Sequence, residues 1–80
     1  MRVEINGDRR ELAEGLSLQE LVQFLKLKPE QVAIEVNQLV VRRAEWTSTL
    51  LKEGDRIEIV HFVGGGVMSG GKISRPETQP

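Results

Sequence analysis

Apolar and polar residues alternate along Met1-Arg2-Val3-Glu4-Ile5, with Val3 and Ile5 on one side. That period of two predicts a half-buried strand. Asn6-Gly7 follows, and because both residues accept positive φ the pair predicts a type I′ hairpin turn. A return strand is expected from about Asp8 to Ala13. Its inward positions are few, essentially Leu12 and Ala13, so it is expected at a sheet edge. Glu14-Gly15 breaks the strand pattern, and the period then changes. Leu18, Leu21, Val22 and Leu25 fall at i, i+3, i+4 and i+7, one stripe of an amphipathic helix. Ser17 and Glu20 stand in the spacing of a capping box, each side chain reaching the other residue's backbone amide. Pro29 is expected to end the helix, since a residue before proline avoids the α region.

Alternation resumes in Val32-Ala33-Ile34-Glu35-Val36, a second clear strand. Asn37-Gln38 reads as a turn, and Val40-Val41-Arg42 as a short strand pairing back. Arg43 to Thr49 is irregular or a short helical turn, with Trp46 as its one large apolar residue and a core position as its expected place. Leu50-Leu51 is expected to re-enter the core. Lys52-Glu53-Gly54-Asp55 predicts a turn with Gly54 free to take positive φ. Arg56 to Val63 is the most apolar strand, and apolar residues on both of its faces near the end predict a central place in the sheet. Three glycines, Gly64-Gly65-Gly66, stop it.

Composition narrows the functional classes. Eighty residues make at most one domain. A core of this size supplies on the order of 3–5 kcal/mol, and packing one helix on one sheet face is an efficient way to reach that. Eleven basic against twelve acidic residues imply no polyanionic partner, and nucleic-acid binding is not expected. The absence of cysteine removes disulfides, thiolate metal sites and a cysteine nucleophile, and fits a reducing cytoplasm. No apolar run approaches the roughly 20 residues of a bilayer span, so no membrane is expected. Residues 67–80 hold two of the three prolines and little apolar bulk, a composition that predicts disorder. The expected organisation is a domain over residues 1–63, a glycine arm over 64–66 and a disordered extension over 67–80.

Few side chains suggest chemistry. His61 is the sole histidine and has no cysteine or second histidine to work with. No predicted element pairs two carboxylates. Ser17 is a cap and not a nucleophile. The stretch after Gly64 lacks the lysine and following helix of a phosphate-binding loop, and the chain reads as a non-enzyme. Arg9-Arg10 and Arg42-Arg43 are two basic pairs, read either as neighbours that dock an acidic partner or as solvated faces. Arg42, Arg43 and Phe62 are the candidate docking residues. The glycine run is either a flexible linker or an arm that must enter a narrow partner site, where only residues without side chains thread easily.

The pieces that carry a family resemblance run in series. They are Val3-Glu4-Ile5-Asn6-Gly7, Ser17-Leu18-Gln19-Glu20-Leu21-Val22, Val32-Ala33-Ile34-Glu35-Val36-Asn37, and Val41-Arg42-Arg43 with Glu45-Trp46. Leu51-Lys52-Glu53-Gly54-Asp55 leads into the last strand, and His61-Phe62-Val63-Gly64-Gly65-Gly66 closes the series. Over residues 1–66 the chain resembles the ThiS family, the sulfur carriers of thiamine biosynthesis in the ubiquitin-like superfamily.

The resemblance implies an α+β fold of the β-grasp type, a mixed sheet of four or five strands cradling one main helix, with the first and last strands parallel and adjacent. It also implies that Gly66 carries the reactive carboxyl and that Gly64 and Gly65 thread into partners. An E1-like (ThiF-like) adenylyltransferase would activate that carboxyl with ATP and Mg, the carrier itself binding no cofactor. A cysteine desulfurase would supply sulfur indirectly, and a ThiG-like thiazole synthase would take it from the thiocarboxylate. In this sequence the Gly66 carboxyl is in a peptide bond to Val67, so a carrier role calls for a processing protease that removes residues 67–80. Gly71 is a second candidate end. Alternatives at this point are a non-carrier ubiquitin-like binding module, a conjugating modifier, or a trimmed carrier of cysteine, methionine or molybdopterin synthesis.

Overall fold

A computed structural model describes residues 1–62. The expectations for Gly64, Gly65 and Gly66, for the domain boundary at Val63, for Gly71 and for the extension lie outside the described residues.

The strands are β1 (Arg2–Ile5), β2 (Asp8–Glu11), β3 (Val32–Val36), β4 (Leu39–Val41) and β5 (Arg56–His61), with one α-helix, α1 (Leu18–Phe24). They form one sheet in the order β2-β1-β5-β3-β4. β1 and β5 are parallel, with Glu4 opposite Arg56 and Ile5 opposite Ile57. β3 runs antiparallel to β5 over five residue pairs, from Val32 opposite His61 to Val36 opposite Ile57. This is the expected mixed sheet with one main helix, and β5 is its central strand.

Each hairpin turns on two residues of positive φ. Asn6 and Gly7 stand at 50° and 86°, and Asn37 and Gln38 at 53° and 72°. That is what a type I′ turn requires, and its twist suits the strands it joins. The helix begins as the sequence predicts: the Ser17 hydroxyl accepts from the Glu20 amide at 3.1 Å, and the Glu20 carboxylate accepts from the Ser17 amide at 2.9 Å. A seven-residue helix is marginal by itself in water, where isolated helices need about 12–15 residues. Packing holds it: Leu18, Leu21 and Val22 are fully buried in one cluster with Val3, Ile5, Ile34, Ile57 and Trp46.

The helix ends earlier than Pro29. It stops at Phe24, and Lys26 takes a left-handed φ of 59°. The Leu27 amide then donates to the Val22 carbonyl and the Lys26 amide to the Gln23 carbonyl, both at 3.0 Å. This is a Schellman closure with a lysine where glycine is usual. Pro29 instead opens a 3-10 helix, Pro29–Gln31, where its missing amide costs nothing.

Smaller departures have similarly local causes. β2 stops at Glu11, with Leu12 buried and Ala13 exposed beyond it. β4 starts one residue before the expected strand because the turn closes at Leu39. Leu51 is buried but Leu50 is exposed, since their side chains point to opposite sides of a bridge that ties Leu50 to Ser17. Trp46 lies within the 3-10 helix Arg43–Ser48, is 2 % exposed, and donates through Nε1 to the Val41 carbonyl at 2.9 Å. The two arginine pairs are not neighbours. Arg9 and Arg10 lie on β2 and Arg42 and Arg43 just after β4, and these strands are the opposite edges of the sheet.

Candidate functional site

The candidate site is built on β5, whose last turn-free residues deliver the chain to the glycines. Its backbone is held from both sides. On the β3 side the ladder extends past the strand, where the Phe62 amide donates to the Gln31 carbonyl at 2.8 Å. On the β1 side regular pairing stops at Ile57, because β1 ends at Ile5. Asn6 takes over there. Its backbone amide donates to the Ile57 carbonyl at 2.8 Å. Its Oδ1 accepts from the Ile59 amide at 2.7 Å, and its Nδ2 donates to the Ile59 carbonyl at 3.2 Å. The side-chain amide thus substitutes for one residue of missing strand.

Asn37 does the same at the start of β5. Its backbone amide donates to the Arg56 carbonyl at 2.7 Å, its Oδ1 accepts from the Arg56 amide at 3.0 Å, and its Nδ2 reaches Asp55 Oδ1 at 2.9 Å. The sequence marks both asparagines as turn residues. It carries no local sign that they clamp a distant strand.

Arg42, Arg43 and Phe62, the candidate docking residues, are brought together. They line one open groove of about 280 Å³ with Val40, Val41 and Trp46. Both arginines are exposed, and among the described residues neither forms a salt bridge. His61 is exposed at the end of β5. The groove joins an apolar floor to two free guanidinium groups, which suits an apolar and acidic protein surface.

The ThiS family model matches residues 3–66. This chain belongs to the ThiS family. The model match runs through the described domain and ends on Gly66, the last of the three glycines.

Solved and curated relatives agree. The crystal structure of the thiamine biosynthesis protein ThiS from Geobacter metallireducens superposes with a TM-score of 0.73 at 36% identity, covering 82% of this chain and 100% of that one. The ThiS-like fold expected from the resemblance is therefore the fold observed. The Escherichia coli sulfur carrier protein ThiS is 27% identical over 66 residues, which cover 82% of this chain and 100% of that protein. A Magnetococcus marinus thiazole synthase is 41% identical over 66 residues, covering 82% of this chain. This chain spans only 20% of that relative's length. A ThiS domain thus also occurs as a minor part of a longer chain that bears the thiazole synthase name. Among the described residues no helix is long and apolar enough to cross a membrane.

Proposed function

We propose that this ThiS-family chain is a sulfur carrier for thiazole formation in thiamine biosynthesis, a protein substrate that acts through the carboxyl of Gly66. The observation that carries the reading is the family match ending on Gly66, one strand-length beyond a β5 that Asn6 and Asn37 hold in place.

The chemistry asks little of the carrier's own side chains. A carboxylate is a poor electrophile. Attack of its oxygen on the α-phosphorus of ATP expels pyrophosphate and leaves an acyl adenylate, whose AMP is a good leaving group. A sulfur nucleophile then displaces AMP. The adenylation and its Mg-ATP belong to a ThiF-like activating enzyme, with sulfur drawn from cysteine through a desulfurase. The finished thiocarboxylate is the sulfur donor to a ThiG-like synthase. Gly64 and Gly65 give the acyl group a narrow stalk. The domain supplies recognition: Arg42, Arg43 and Phe62 border the groove nearest that stalk. Because Gly66 is bonded to Val67, hydrolysis of that bond precedes activation. The Magnetococcus relative supports the choice of thiazole synthase as the acceptor.

Intact-mass measurement tests the reading. The full chain is incubated with cell extract of its own organism, ATP and cysteine. The expected product ends at Gly66 and then gains about 16 Da as sulfur replaces oxygen. A chain that is trimmed to Gly66 but never gains that mass, or that persists at full length in its native cells, overturns the proposal.

A further inference from the structure

Among the described residues no element covers the sheet face opposite α1, and strand register divides that face into two unlike halves. On β1, β2 and the start of β5 every charge has an opposite neighbour. Arg2 pairs with Glu11 at 3.8 Å, Arg56 with Glu4 at 3.7 Å, and Arg9 stands directly across from Glu4. On β3, β4 and the rest of β5 the pattern fails. Glu35 stands directly opposite Glu58, Ala33 opposite Val60, and Val40 opposite Glu35. Val40 is 68% exposed and Val60 44%.

Directly opposed residues have Cβ atoms about 5 Å apart, and like charges in that relation are destabilising. Among the described residues no cation lies within salt-bridge distance of either carboxylate. The half-face therefore combines two unrelieved negative charges with a frame of exposed valines. Inside a valine frame that excludes water, a cation set between the two carboxylates interacts more strongly than it would in solvent. The place is continuous with the carrier arm: β5 passes from Glu58 and Val60 to Phe62, and the glycines follow.

We propose that this half-face is where a thiazole synthase docks, seating one of its lysine or arginine side chains between Val40 and Val60 over Glu35 and Glu58. The inference rests on the carrier reading above and deepens it by naming the specificity residues and the partner chemistry. The Magnetococcus relative selects the partner, since there a domain like this one and the thiazole synthase name belong to one polypeptide. Charge complementarity selects the docking group. The mated half of the face offers a partner no such unrelieved charge.

The arrangement has a distinctive signature: removing the acid pair relieves repulsion within the domain while weakening the complex. The test uses the full chain and the thiazole synthase of its own organism, with affinity read by titration calorimetry and domain stability by urea unfolding at low salt. Glu58→Gln is expected to weaken binding about tenfold, and Glu35→Gln with Glu58→Gln about a hundredfold, each tenfold step being about 1.4 kcal/mol. The urea midpoint of both variants is expected to stay level or rise. Glu11→Gln makes the same charge change on the mated half and is expected to leave affinity unchanged. Binding as tight as the parent's in the double variant overturns the docking face and leaves the carrier reading standing. A loss of affinity matched by a fall in the urea midpoint also overturns it, because that marks a structural role. An unmodified chain that never binds the synthase overturns both.

Discussion

The two hairpins that flank β5 are built alike and presented differently. Each turns on an asparagine near φ 50° followed by a second residue of positive φ, and each asparagine clamps the β5 backbone with its side-chain amide. The β1–β2 hairpin then covers its outer surface with mated charges. The β3–β4 hairpin shows unmated acids, exposed valines and two free arginines beside the groove. Support of the terminal strand is thus shared by both hairpins, while the means of recognition lie on one. A molecule that must deliver its end to partners in a fixed orientation needs this combination, a rigid base and a one-sided surface.

The hairpins also differ in what backs them, and the largest effect should come from there. Trp46 is buried behind β4 and donates to the Val41 carbonyl, whereas no comparable aromatic anchors β2. Trp46→Ala is expected to cost about 3–5 kcal/mol, as much as a domain of this size has to lose. Cooperative urea unfolding should then vanish. Trp46→Phe retains most of the volume but leaves the Val41 carbonyl without its donor, at about 1–2 kcal/mol. Hydrogen exchange should then quicken at Leu39–Val41 before it does at Arg2–Ile5. Equal quickening in both hairpins would show that Trp46 supports the whole sheet and not one side.

The clamps come next. Asn6→Ala removes two bonds to Ile59 and puts a Cβ-bearing residue without a polar side chain at φ 50°, so about 2–3 kcal/mol is expected by urea unfolding. Asn6→Gly removes the bonds but accepts the φ, and about 1–2 kcal/mol is expected. Asn37→Ala should cost less, about 1–2 kcal/mol, because its bonds to Arg56 and Asp55 are exposed to competing water. If the two alanine variants were equal, the hairpins would share the load on β5 evenly despite their different burial.

Local pattern carried most of the fold. The alternation in Val3-Glu4-Ile5 and Val32–Val36, the Ser17–Glu20 box and the Asn6-Gly7 turn are each decided by residues a few positions apart, and all appear where expected. What escaped is nonlocal or runs against propensity. The Arg9-Arg10 and Arg42-Arg43 pairs looked like neighbours because no local pattern says that β2 and β4 are opposite edges. Glu35 and Glu58 seemed scattered because their juxtaposition depends on the β3–β5 register. Asn6 reads as a turn, but its partner Ile59 lies 53 residues away. Lys26 ends the helix in a conformation lysine seldom adopts, so Pro29 was the more visible stop signal. The site divides the same way: Gly64–Gly66 stand out as a run, while the groove that joins Phe62 to Arg42 and Arg43 exists only once strands are paired.

The smallest effect tests whether the two turns are alike apart from one residue. The first hairpin has glycine at its second turn position, and a Cβ built on Gly7 would meet nothing within 4 Å. Any cost of Gly7→Ala is therefore conformational, and about 1 kcal/mol is expected from placing a Cβ at φ 86°. The second hairpin already bears that strain, with Gln38 at φ 72°. Gln38→Gly relieves it, but glycine also loses more freedom on folding, and the two terms oppose. Strain is the larger at a left-handed position, so the variant should gain about 0.5 kcal/mol in urea unfolding. If Gln38→Gly instead destabilises, the glutamine side chain contributes to the turn what glycine cannot. The hairpins would then differ in how they turn as well as in what they display.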